Sequence, residues 1–266
     1  VHGGNYVAMT DLEGQDLWRN SQKLRHPQML EPMSNGELLI GDVKGAIKMD
    51  AKGTVTWRRP VPKQAENCFA TILPNGNLLT GLEGPAKFQE VNPEGEVVFE
   101  LKLQPSSDKV HGQFRYPTVS AEGTYLVPLL ASSTFHEYNR EGEILWEMTG
   151  LQTVTYGLRL NNGHTLLCCK GLVQEYDADR QLVWEFNLVT DGNLPNTPVI
   201  NCVVLPGGNL LCSLYQGKED QPDLIEISRA KEVVHQWTLP QHKRVAHLSI
   251  QPRSQPFVSK ALAPAR

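Results

Sequence analysis

The chain has 266 residues, 40% hydrophobic and 20% charged, enough to bury a sizeable core as one large domain or two small ones. A formal net charge of −4 gives no general attraction to nucleic acid or anionic membranes, and no apolar run reaches the roughly 18 residues that span a bilayer. The first residue is Val1 rather than methionine, so removal of an upstream segment is expected; the compartment is unassigned, with a lean to the periplasm or the cell exterior.

At the head of the chain, "VHGGNYVAM" has room for the end of one strand and one whole strand. Asp11 then opens a turn that leads into a strand carrying Trp18. The same spacing returns as "MDAKGTVTW", "VNPEGEVVF", "YNREGEILW" and "YDADRQLVW". The aromatic positions after Trp18 are Trp57, Phe99, Trp146 and Trp184, with His235 aligned as the sixth. Seven residues before them stand Asp11, Asp50, Asn92, Asn139, Asp177 and Ser228. Three residues after four of these stand Gly14, Gly53, Gly95 and Gly142. A short polar side chain that accepts from the turn backbone, followed by a glycine at positive φ, predicts a tight hairpin six times over.

Between these hairpins lies a second set of turns, "SNGELL", "PNGNLL", "AEGTYL", "NNGHTL" and "PGGNLL". They centre on Gly36, Gly76, Gly123, Gly163 and Gly208, at spacings of 40, 47, 40 and 45 residues. A unit of four short strands at that period predicts an all-β fold, a six-bladed β-propeller of four-stranded antiparallel blades. The outer-strand tryptophan is expected to wedge between blades. Near the end, "RVAHLSIQP" reads as an innermost strand. Joined to the strands of the chain head, it would close the ring with a composite blade from both termini. Residues 1–257 are thus read as a single propeller domain and residues 258–266 as a C-terminal tail.

The pattern in "IKMDAKGTVTW", paired with "LPNGNLL", resembles the repeats of quinoprotein-like (PQQ-like) β-propellers and of bacterial arylsulfotransferase-type propellers. The resemblance runs along nearly the whole chain, but it lies in blade and turn residues, so it implies a fold rather than an activity. True quinoprotein dehydrogenases have eight blades and a dedicated cofactor site. Six units and no calcium-ligand cluster imply no bound cofactor here. Arylsulfotransferases transfer sulfate between phenols through a funnel histidine aided by arginine, and no single residue of this chain is assigned that role.

The cysteines are Cys68, Cys168, Cys169, Cys202 and Cys212. Their odd count and spacing suit neither a disulfide framework nor a four-thiolate zinc site, and they read as buried thiols acting as small hydrophobes. Adjacent Cys168 and Cys169 on a strand should point to opposite faces. No metal site is expected.

Candidate binding residues come from propeller geometry. Segments leading into the innermost strands open on the face where ligands bind. They are "LRHPQ", "AENCF", "KVHGQFRYP", "TVTYG", "VINCV" and "RVAHL". In order they supply Arg25 and His26, then Glu66, Asn67 and Cys68, then His111, Arg115 and Tyr116. Tyr156, Asn201 with Cys202, and Arg244 with His247 complete the set. Arginine offers a planar fork for sulfate, phosphate or carboxylate, histidine can donate or accept, and tyrosine can stack on a sugar or phenol ring. The plainer reading is that polar residues at strand starts satisfy backbone groups and buried water. Glu66, Glu83 and Asp42 offer carboxylates for acid–base work, though nothing in their spacing demands it. His136 and His164 lie outside these segments and read as ordinary strand and turn residues.

The function read from this pattern is a binding or scaffolding propeller. Its partner would be a small anionic or carbohydrate ligand in a polar funnel, or a protein on the top face, with no nucleic acid and no membrane span. The alternative is an enzyme acting on a small anionic, aryl-sulfate or sugar-like substrate in that funnel. An enzyme should bring at least two of His26, His111, Arg115 and His247 to one point, whereas a scaffold should pair them with backbone.

Overall fold

A computed structural model describes residues 2–3, 5–11, 13–20, 22–215, 221–239, 248–249 and 255–261. It divides into two compact units, residues 1–100 with 239–266, and residues 101–238.

The first unit opens with β1 (His2–Gly3), β2 (Tyr6–Thr10) and β3 (Asp16–Arg19) in one antiparallel sheet. The second sheet holds β4 (Pro27–Pro32), β5 (Leu38–Asp42), β6 (Gly45–Met49) and β7 (Val55–Pro60). The third holds β8 (Glu66–Ile72), β9 (Leu78–Glu83), β10 (Lys87–Val91) and β11 (Val97–Lys102), whose end crosses the boundary between units.

The second unit has three sheets of the same design. They are β12 (Thr118–Val119), β13 (Tyr125–Leu129), β14 (Thr134–Tyr138) and β15 (Ile144–Met148); then β16 (Tyr156–Arg159), β17 (Thr165–Cys169), β18 (Leu172–Tyr176) and β19 (Leu182–Asn187). The last sheet is β20 (Val199–Val204), β21 (Leu210–Leu214), β22 (Leu224–Ile227) and β23 (Val233–Trp237). Each sheet runs in sequence order, which is the meander of a propeller blade.

The turns form as their chemistry dictates. The carbonyls of Asp50, Asn92 and Asn139 accept from Gly53, Gly95 and Gly142 at 3.0–3.3 Å. Their side-chain oxygens accept from Thr54, Glu96 and Glu143 at 2.8–2.9 Å. Where glycine is missing, Arg180 and Lys231 take the left-handed conformation themselves, at φ 65° and 66°. A register shift precedes the turn in β2, β6, β14, β18 and β22, the bulge that a three-residue loop of this kind carries.

Burial follows position within the blade. The second strands, such as "LLIGD", "YLVPL" and "TLLCC", are buried along their whole length; "LLIGD" and "TLLCC" pack their alternate residues into separate clusters on the two faces. The fourth strands are largely exposed. Ala46–Lys48 before the turn is therefore more buried than Val55–Trp57 after it.

The tryptophans divide into two groups. Trp146 is buried between its own sheet and the next, edge-on to Phe135 at 5.3 Å and to Tyr176 at 5.6 Å. Trp18 and Trp184 reach into the neighbouring blade and donate from Nε1 to the carbonyls of Ala51 and Arg229, each at 2.9 Å. Trp57 does not wedge: it is 39% exposed, beneath the Lys48 ammonium at 5.3 Å.

The six-bladed ring with a composite closing blade is corrected. Among the described residues there are five four-stranded blades, not six, and the head of the chain forms a sheet of three strands with no strand from the tail. The expected innermost strand, 244–252, lies outside the described residues except for Leu248 and Ser249. What the tail does supply is a short helix, α1 (Pro256–Ala261), astride the boundary drawn at 257. Phe257 is buried in a cluster with Val7, Leu24, Ile40 and Ile47, its ring edge-on to Trp18 at 5.1 Å. Lys260 donates to the carbonyl of Asn35 at 2.9 Å, across the Ser-Asn-Gly turn. The chain end is thus tied to the first two sheets by side chains.

No described helix is long and apolar enough to cross a membrane.

Candidate functional site

In the first unit, Arg25 and His26 are exposed immediately before β4, and His26 takes the left-handed conformation at φ 59°. That kink lets the Arg25 amide donate to the Asp42 carboxylate at 2.5 Å, while Lys44 N–H donates to its other oxygen at 2.9 Å. Burial pushes the Asp42 carboxyl above its ordinary range, opposed by those two amides and by the charges of Arg58 and His26. Glu66 is half-buried at the start of β8 and stands opposite buried Glu83 of β9.

Asn67 is buried and stitches two blades: its amide N–H donates to Val43 at 3.1 Å and its side chain to the Asp42 carbonyl at 3.3 Å. Its Oδ1 has no hydrogen-bond partner among the described residues. Cys68 faces the core, its thiol 3.8 Å from the Gly81 carbonyl. It is therefore not a group a ligand would meet.

In the second unit the candidates separate into surface and core. The loop before β12 is ordered by Gln113, which donates to the Ser107 carbonyl at 2.9 Å, and by Arg115 N–H, which donates to Pro128 at 3.0 Å. Arg115 is buried, with one guanidinium arm on the Phe114 carbonyl at 3.1 Å and another on His111 Nε2 at 2.7 Å. His111 itself is exposed. Because arginine can only donate, Nε2 is the acceptor in this contact.

The other candidates of this unit build the interior. Tyr116 and Tyr156 lie in one apolar cluster with Cys202, so neither ring is placed to stack on a ligand. Burial, with the neighbouring Cys168 and Cys202 thiols, pushes the Tyr156 hydroxyl up, and it stays neutral. Buried Asn201 accepts from the Ser213 hydroxyl at 2.7 Å. Arg244 and His247 lie outside the described residues. Of the proposed enzyme pairings, His111 and Arg115 do meet, yet Arg115 is also bound to backbone as a scaffold residue would be.

The groups that sequence reasoning passed over form a blade-to-blade polar network. Glu90, Glu137, Glu175 and Glu226 each stand two residues before the turn residue, and each accepts from the residue just past the second turn's glycine: Asn77, Thr124, His164 and Asn209, at 2.6–2.8 Å. Arg159 then reaches back to Glu137 at 2.6 Å, and Arg229 to Glu175, each from the following blade. Burial favours the protonated acid at Glu175, but the bonds from Arg229 and His164 outweigh it and hold the carboxyl below its ordinary range. His164 is thus a network member rather than an ordinary turn residue, and His136 bonds Tyr138 at 2.8 Å and Glu147 at 2.9 Å. The recurring Glu-x-Asn/Asp/Ser spacing was the available signal.

No family model matches this chain, and no curated protein matches it. Solved structures do. A protein of unknown function from Bacteroides caccae is 26% identical with a TM-score of 0.76, covering 89% of this chain and 92% of its own. Virginiamycin B lyase from Staphylococcus aureus is 13% identical with a TM-score of 0.59, covering 86% and 72%. The WD40 β-propeller domain of Doa1 is 16% identical with a TM-score of 0.60, covering 90% and 81%. These likenesses establish a β-propeller fold, and they do not single out the quinoprotein-like or arylsulfotransferase-like group.

Proposed function

We propose that this chain is a binding propeller that takes a small anionic or carbohydrate ligand at the segments leading into its innermost strands. The observation that carries the reading is the His111–Arg115 pair. A buried guanidinium, held by the Phe114 carbonyl on one side, holds an exposed imidazole on the other. Such a pair is positioned before the ligand arrives, so little side-chain entropy is lost on binding. It suits sulfate, phosphate, carboxylate or a sugar hydroxyl. The repeat pattern that resembles quinoprotein-like and arylsulfotransferase-type blades supports the fold of this binding domain, read as residues 1–257, and not its ligand.

Calorimetric titration with sulfate, phosphate, phenyl sulfate and neutral monosaccharides tests it. The full chain should bind at least one of these. His111→Ala should weaken that binding about 10–100-fold, the equivalent of one charge-assisted hydrogen bond, with an unchanged melting temperature. Equal affinity in the variant removes the pair from any binding role.

A further inference from the structure

We propose that Cys168 and Cys202 close to a disulfide between two adjacent blades of the second unit, a covalent staple built into the core. Cys168 lies on β17 and Cys202 on β20, and their sulfurs approach to 3.2 Å. A disulfide bond is about 2.05 Å long, so a movement of about 1.2 Å would join them. Cys169, the neighbour of Cys168, points to the opposite face and lies in a different cluster, as alternation along a strand requires. Cys212 stands directly across the strand pair from Cys202 and touches its thiol, so three sulfurs share one pocket.

The surroundings favour a neutral product. Cys168, Cys202 and Cys212 are wholly buried among apolar side chains that include Tyr156, Val199 and Ile225. A thiolate-bound metal ion would leave charge in this apolar site, whereas a disulfide leaves none. Burial pushes the thiols of Cys168 and Cys202 up. Exchange therefore proceeds while the two blades assemble or open, and the closed bond is then shielded from reductants.

With oxidised glutathione as the oxidant the step balances. One cysteine thiolate attacks the glutathione disulfide and releases one reduced glutathione. The second thiolate attacks the protein sulfur of that mixed disulfide and releases another. The two thiol protons and two electrons end on glutathione.

The test is oxidative refolding of the full chain in glutathione buffer beside refolding in dithiothreitol, with alkylation under denaturing conditions and peptide mapping. The dithiothreitol sample should alkylate at all five cysteines of the chain, and the glutathione sample at two fewer, with Cys168 linked to Cys202. The linked form should melt about 10 °C higher, since the bond closes a loop between positions 34 apart. Cys169→Ala should retain the link, and Cys202→Ser should abolish both the link and the shift. Full alkylation after oxidative refolding, or a link from Cys202 to Cys212, would overturn the proposal.

Discussion

Replacing Trp146 with alanine, beside the same replacement at Trp57, separates a residue that joins blades from one that rides on the surface. Trp146 is 7% exposed and packs edge-on against Phe135 of its own blade and Tyr176 of the next, with ring planes at 74° and 70°. Removing it opens a cavity and breaks two aromatic contacts, for a loss of about 3–5 kcal/mol. Trp57 is 39% exposed, and its Lys48 contact is a solvent-facing cation–π pair, so its loss should cost about 1 kcal/mol. In thermal unfolding followed by far-ultraviolet circular dichroism, Trp146→Ala should melt about 10 °C below the parent and Trp57→Ala about 3 °C below. Equal shifts would refute the division of the tryptophans into these two roles.

Phe257→Ala should cost about 3 kcal/mol in urea unfolding, because the ring is buried against Trp18 and the first two sheets; a loss under about 0.5 kcal/mol would mean that the chain end is not docked. Glu175 has a folded-state pKa below its ordinary value of 4.5, so its contribution is complete above about pH 4.5 and disappears as the pH falls through the lower folded value. Acid titrations of Glu175→Gln should accordingly lack that portion of the pH dependence, and identical slopes in parent and variant would argue against the Arg229–Glu175–His164 network.

The hairpins were legible because turn chemistry is local. An Asp or Asn that accepts from residues two to four positions on, and a glycine at positive φ, need no partner from elsewhere in the chain. Even Arg180 and Lys231 followed the pattern without glycine, since the hydrogen bonds of the turn fix the backbone. The expected composite closing blade was wrong, because joining the two ends of the chain is a long-range pairing that no local residue pattern encodes, and the head forms a sheet of three strands. The role of Phe257 was hidden for the same reason: six residues of tail carry no sign of the cluster they join.

Candidate site residues divided between the loop and the interior, and polar Asn67 and Asn201 went inside with the apolar ones, held by hydrogen bonds. His111 and Arg115 meet at the loop as a polar pair should. Tyr116, Tyr156, Cys68 and Cys202 stand at strand starts too, but they turn inward, where an apolar ring or thiol gains more from burial than from water. Alternation along a strand places a residue on one face or the other; it does not say which face a ligand would see until the neighbouring blades are in place.

The most direct test of the binding reading is a crystal of the full chain soaked in sulfate and then in phenyl sulfate, with density sought at the segment 109–116. An anion within hydrogen-bond distance of the His111–Arg115 pair is the predicted result. Density elsewhere on the protein in both soaks, with that imidazole bare, would contradict it.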